Sequence, residues 1–106
     1  MENKLYIYKI LSQKDWAESN SLGYLKLQAQ DDKFIHLAEK DQIDRIVKKF
    51  WSGQQDILIA KIDSSKIIGR LIKEANPGGT NTYYHLYDGK IPLKAVTDIF
   101  PYKYQG

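Results

Sequence analysis

Apolar residues in this chain fall into short runs, and one of those runs has a clear helical spacing. Leu5-Tyr6-Ile7-Tyr8-Lys9-Ile10-Leu11 is aromatic and β-branched and predicts a first strand. Ser12 then offers an N-cap, with Asp15 three residues on as its capping-box partner. A short helix is expected over residues 13–20, anchored by Trp16 and stopped by Gly23. Tyr24-Leu25-Lys26-Leu27 alternates like a short strand. Asp31-Asp32-Lys33 predicts a polar turn into a strand made of Phe34-Ile35-His36-Leu37. Ile43, Ile46, Val47, Phe50 and Trp51 stand at i, i+3, i+4, i+7 and i+8, so the main helix is expected here. Its apolar face, Phe50 and Trp51 included, should meet the core. Asp41 and Asp44 near its start and Lys48 and Lys49 near its end suit the macrodipole, and Gly53 suits the position just past its end.

The second half continues the pattern. Ile57-Leu58-Ile59-Ala60-Lys61-Ile62 predicts a buried strand, and Asp63-Ser64-Ser65 a helical turn that Gly69 ends. Arg70-Leu71-Ile72-Lys73-Glu74 predicts a strand, followed by the longest loop, residues 75–82. Tyr83-Tyr84-His85-Leu86-Tyr87 comes next, then a turn signal at Asp88-Gly89. Residues 95–100 predict the last strand, Pro101 limits further pairing, and Tyr102-Lys103-Tyr104 is expected to be a frayed tail. About six short strands, one main helix and one or two small helices do not alternate regularly. That argues α+β rather than doubly wound α/β. With 106 residues and neither repeat nor linker, residues 1–106 are expected to form a single domain.

The candidate chemistry centres on the two histidines. Side chains alternate faces along a strand, so Phe34 shares a face with His36, and Tyr83 and Tyr87 share one with His85. These two aromatic-histidine rows are expected to line one pocket, with Tyr8 beside them. Imidazole titrates near neutral pH and can act as an acid–base group or bind phosphate. Glu74, at a strand end before the loop, is the candidate carboxylate, and Arg70 is a candidate phosphate clamp. Lys9, inside an apolar strand, either lines the pocket or snorkels outward, the second being preferred.

Composition then removes whole classes. Without cysteine there is no disulfide, zinc knuckle or thiol nucleophile, which suits a reducing cytosol. No charged start precedes an apolar leader, and no apolar run approaches ~18 residues, so a cytoplasmic protein without membrane contact is expected. The net charge of +3 and pI of about 9.0 come from lysines scattered among acids. They predict a solvated surface, with weak nucleic-acid binding as the lesser reading. Two-histidine phosphoesterases need Ser or Thr two places after each His, where Ala38 and Tyr87 stand. No G-x-S-x-G elbow or glycine-rich phosphate loop is present. The histidines and acids lack the spacing of a metal site, and no metal is expected.

Tyr8-Lys9-Ile10, Trp16, Phe34-Ile35-His36-Leu37, Phe50-Trp51-Ser52-Gly53, Ile62-Asp63, Lys73-Glu74 and His85-Leu86-Tyr87 occur in an order that spans nearly the whole chain. This ordered set resembles domain-of-unknown-function family 952. Ala38, Lys73 and Tyr84 depart from that family's usual serine, tryptophan and proline. The resemblance implies a fold like that of the ADP-ribosyltransferases, a bent, split sheet pair with small helices. It implies no established activity. A fainter similarity to the RNA 2′-phosphotransferases fails at Lys9 and Phe34, which stand where those enzymes have histidine, so NAD use is not implied and the cofactor stays unassigned. The resulting expectation is an ADP-ribosyltransferase-like domain that binds or transforms a nucleotide-type ligand. His36 and His85 would be its acid–base or phosphate-binding groups, and Glu74 would polarise a sugar hydroxyl. The alternative is a non-catalytic module that binds a metabolite or a protein.

Overall fold

The computed structural model describes residues 4–104. Its order is β1 (Tyr6–Ser12), α1 (Gln13–Leu22), β2 (Ile35–His36), α2 (Ile43–Phe50), β3 (Ile57–Asp63), β4 (Ile68–Ala75), β5 (Thr82–Lys90) and β6 (Val96–Pro101), with four short 3-10 turns between them. The strands form two antiparallel three-stranded sheets, β1-β3-β6 and β2-β5-β4, an α+β architecture. No described helix is long and apolar enough to cross a membrane.

The segment around β2 joins the two sheets. Ile35 and His36 pair with Leu86 and His85 of β5, and Leu37 N–H donates to the Tyr84 carbonyl at 3.0 Å. One residue later the chain has crossed over: Ala38 and Tyr8 of β1 exchange both backbone hydrogen bonds, each 2.8 Å. The sheets therefore meet along residues 35–38 and part on either side of it. Alternation along β1 serves both faces of its sheet. Ile7 and Leu11 join Ile62, Leu86 and Ile91 in the core between the sheets, with Trp16 packed against it. Tyr8 and Ile10 face the other way and meet Ile43 and Val47 of α2.

Local signals govern the element ends. Ser12 Oγ accepts from Asp15 N–H at 3.0 Å and the Asp15 carboxylate accepts from Ser12 N–H, so the expected capping box is formed. Gly23 caps the other end of α1 at φ 85°, a left-handed conformation that glycine adopts at little cost. Ser12→Ala is expected to lower stability by about 1 kcal/mol. The check is a lower urea midpoint with an unchanged slope.

Several expectations need correction. At 10 residues α1 is longer than the 8-residue α2. Residues 24–27 make one bridge, Tyr24 to Pro92, rather than a strand. Phe50 is 64% exposed: α2 ends there, and Trp51 takes the inward place. Asp88-Gly89 does not turn the chain. With Asp88 at φ 55°, it forms a bulge inside β5 against Ile68 and Gly69 of β4. The strands approach so closely there that a Cβ on Gly89 would lie 1.7 Å from the Ile68 carbonyl oxygen. Gly69 belongs to this bulge and ends no helix. Nor is Tyr102 frayed. Its N–H donates to the Ile57 carbonyl at 2.8 Å and its hydroxyl to Asp44 at 2.7 Å. Burial and the Asp44 carboxylate push that phenol up to about 12.

Candidate functional site

The antiparallel register of β2 and β5 sets His36 directly opposite His85, with ring centroids 5.5 Å apart. Phe34, just before β2, stacks on the His85 ring at 3.9 Å and lies 5.3 Å from the Tyr87 ring. Residues distant in sequence thus build one aromatic cluster. Its two imidazoles nevertheless have different surroundings. The His36 side chain is 37% exposed, whereas His85 is 0% exposed.

His36 is held from below. Asp31 closes a 3-10 turn and is itself buried. One carboxylate oxygen accepts from His36 N–H and contacts His36 Nδ1, both at 3.0 Å. The other accepts from Gln28 N–H at 3.0 Å and faces Lys9 Nζ at 3.0 Å. Lys9 lies on the inward face of β1 between Ile7 and Leu11, so it is buried rather than snorkelling outward. Its ammonium also donates to the His36 carbonyl at 3.2 Å and to Gln28 Oε1 at 3.4 Å. Burial alone would raise the Asp31 carboxyl. The His36 hydrogen bond, the Lys9 charge and the two backbone donors outweigh it and hold Asp31 well below the ordinary carboxylate range. Burial pushes the Lys9 ammonium down, and Asp31 opposes that shift.

With Nδ1 held as a donor to Asp31, Nε2 is the free ring nitrogen, without a hydrogen-bond partner among the described residues. His36 lines a cleft of about 690 Å³ where the two sheets part. Tyr8 and Ile10 of β1 form one wall, Ile46, Phe50 and Trp51 another, and Tyr83, Asn76 and Pro77 border the mouth. Carboxamides of Gln28, Gln30, Gln54 and Asn76 are spaced around it, and its one lysine, Lys9, is already paired with Asp31.

His85 supports this wall without reaching the cleft. Its Nδ1–H donates to Glu74 Oε2 at 2.8 Å, and Nε2 lies 2.9 Å from the Asn76 side-chain oxygen. A neutral ring fits the same geometry with the Asn76 amide turned to donate. Tyr87 donates its hydroxyl to the same Glu74 oxygen. The Tyr87 and His85 hydrogen bonds hold the Glu74 carboxyl below its usual range, and Glu74 in turn raises the Tyr87 phenol.

Of the residues singled out from sequence, Tyr8, His36 and Tyr83 therefore border the cleft. Phe34, Glu74, His85 and Tyr87 form the cluster behind it. Arg70 belongs to neither: it ion-pairs with Asp88 at 3.0 Å, an exposed pair, and its guanidinium lies 5.4 Å from the Tyr87 ring centre. Asp31 and Gln28 were missed. Lys9 held the signal for Asp31, because an ammonium on the inward face of an apolar strand demands a buried carboxylate. Among the described residues no group of three His, Cys, Asp or Glu side chains could hold a metal ion.

A family described as protein of unknown function, DUF952, matches residues 10–99. Solved structures of protein CC0527 from Caulobacter crescentus are similar at 28% identity. Its crystal structure and that of a double mutant of it each have a TM-score of 0.81, covering 96% of this chain and 90% of that one. The solution NMR structure of CC0527 has a TM-score of 0.70, covering 90% and 82%. The comparison with curated proteins gives no match.

Proposed function

This chain belongs to the DUF952 family, whose description names no activity, and from its own cleft we propose a binding site for a nucleotide-type ligand held by its ring. One observation carries the reading. A buried carboxylate fixes Nδ1 of His36 and leaves Nε2 without a partner among the described residues, and His36 lines a cleft of about 690 Å³, within the size range of small-molecule sites, roughly 300–1,000 Å³. The orienting carboxylate sets the tautomer, and the free nitrogen can exchange a proton or a hydrogen bond with a ligand.

The walls suit a planar heterocycle. Tyr8, Trp51 and Tyr83 offer faces for stacking, the exposed Phe50 ring sits at the rim, and the Gln30 and Gln54 carboxamides can pair with ring nitrogens and carbonyls. Among the described residues no unpaired lysine or arginine borders the cleft, so the ring and sugar would lie inside and any phosphates outside. A likeness to ADP-ribosyltransferases, whose substrate carries such rings, is part of this proposal. A second reading, a non-catalytic metabolite-binding module, is favoured by the other groups at the cleft. The Ser12 hydroxyl and the Asp15 carboxylate are engaged in the capping box of α1, and Glu74, behind the cleft, is held against His85 and Tyr87, so none of them is placed to share a reaction with His36.

Titration of 15N-labelled protein with adenosine, nicotinamide and ADP-ribose tests the site. The expected result is perturbation of the His36 ring and of the Tyr8, Ala38 and Tyr83 amides, with His36→Gln weakening binding about tenfold through loss of one hydrogen bond. Silence at these positions with all three ligands at millimolar concentration would sink the reading. Turnover of a bound ligand that stops in His36→Gln would select the enzyme over the module.

A further inference from the structure

The structure has a second hollow, about 790 Å³, bordered by the end of α1, the start of β4 and the segment after β5. We propose that this hollow binds the phosphate of an organic phosphate ligand. Three lysines, Lys66, Lys90 and Lys94, border it, and among the described residues no carboxylate does. None of the three forms an ion pair among the described residues, unlike Lys4, Lys9, Lys26 and Lys73. Three ammonium-bearing side chains around one hollow, with no carboxylate partner among the described residues, give it a positive potential that an anion would complement.

The floor is built rather than accidental. Tyr24 bridges Pro92, Leu25 N–H donates to the Ile91 carbonyl at 2.9 Å, and Leu93 N–H donates to the Gly23 carbonyl at 3.2 Å. The segment that carries Lys90 and Lys94 is thus pinned to the end of α1. Lys90 Nζ stands 5.0 Å from the Tyr24 ring centre, which steers one ammonium over an aromatic face. Leu22 and Ile68, 46% and 50% exposed, add apolar surface at the same hollow. Charge beside an aromatic ring and exposed aliphatic carbon suits a phosphate joined to an organic body better than a bare ion. The first cleft offers the reverse: aromatic walls and carboxamides, with its only lysine already neutralised. A phosphate finds its charge complement in the second hollow.

Such a phosphate could come from a free nucleotide or from the end of a single-stranded nucleic acid, and the test separates the two. Labelled protein is titrated at low salt with pyrophosphate, AMP and a 5′-phosphorylated hexauridylate. All three are expected to shift the Tyr24, Lys66, Ile68 and Lys90 amides. The triple variant Lys66→Gln/Lys90→Gln/Lys94→Gln should weaken AMP at this hollow at least tenfold and keep the wild-type spectrum elsewhere. Equal affinity of AMP and hexauridylate marks a free organic phosphate. Tighter hexauridylate binding, with a log–log salt slope of about −2 for three contacts on a single strand, marks nucleic acid. Shifts spread evenly over Lys14, Lys48 and Lys49, or unchanged affinity in the triple variant, overturn the proposal. Adenosine at His36 reports the first cleft separately, so either reading can fail alone.

Discussion

Asp31→Asn is expected to cost about 3–5 kcal/mol of folding stability, because it strands the Lys9 ammonium in the core without its counter-charge. The side-chain shape is retained, so the loss reports charge rather than a cavity. The fall in Tm should be at least about 15 °C. The pH dependence identifies the cause. In the folded protein the Asp31 carboxyl lies below its usual range, and the unfolded value is about 3.9. Its contribution is therefore fully present above about pH 4 and is lost as pH falls towards the folded value. Wild type should lose stability along that acid limb, and Asp31→Asn should lose less there. Lys9 has the opposite sign of charge. Its folded value is lowered by burial, so the unfolded chain binds more protons and stability rises as pH climbs towards about 10.4. Removing Asp31 lowers Lys9 further and steepens that alkaline rise. Urea unfolding of both proteins from pH 3 to pH 10 reads both limbs. Parallel curves would show that Asp31 and Lys9 do not share a charge. The same substitution withdraws the orienting carboxylate from His36, so ligand perturbation at the His36 ring should weaken with it.

His85→Leu is the second large effect, about 2 kcal/mol, from two lost hydrogen bonds and the lost stacking on Phe34. The informative part is where the loss appears. Asn76 borders the cleft, and its carbonyl accepts from Gly79 N–H at 2.8 Å to close the loop. Without His85 the Asn76 side chain loses its anchor. Hydrogen-exchange protection at Gly79 should fall, while protection at His36 and Ala38 persists. Adenosine affinity should drop several-fold although His85 does not border the cleft, and Asn76→Ala should reproduce that drop at a cost of about 1 kcal/mol, because it removes only one of the two His85 hydrogen bonds. Unaltered exchange at Gly79 in His85→Leu would show that the loop is held by something else.

Much of this protein is local chemistry that the sequence states outright. The Ser12–Asp15 capping box, the glycine stop at Gly23 and the alternation through β1 and β5 act within a few residues of themselves. So does the family pattern, because its motifs run in chain order. The two histidines could also be grouped in advance, since each stands in an aromatic row with a period of two.

Tertiary structure decided which rows meet and which groups face the cleft. Alternation places Lys9 on the inward face but cannot say which carboxylate returns to meet it. Asp31 does so only because residues 35–38 close the seam between the sheets. The same closure separates the histidines. Phe34 covers His85, while His36 stays open, though both sequences read alike. Asp88-Gly89 makes the limit plain: a left-handed residue before glycine serves a turn and a bulge equally well. The partner strand, here the Ile68–Gly69 backbone, settles which one forms, because hydrogen bonding and close packing across strands are properties of two segments and not of either one.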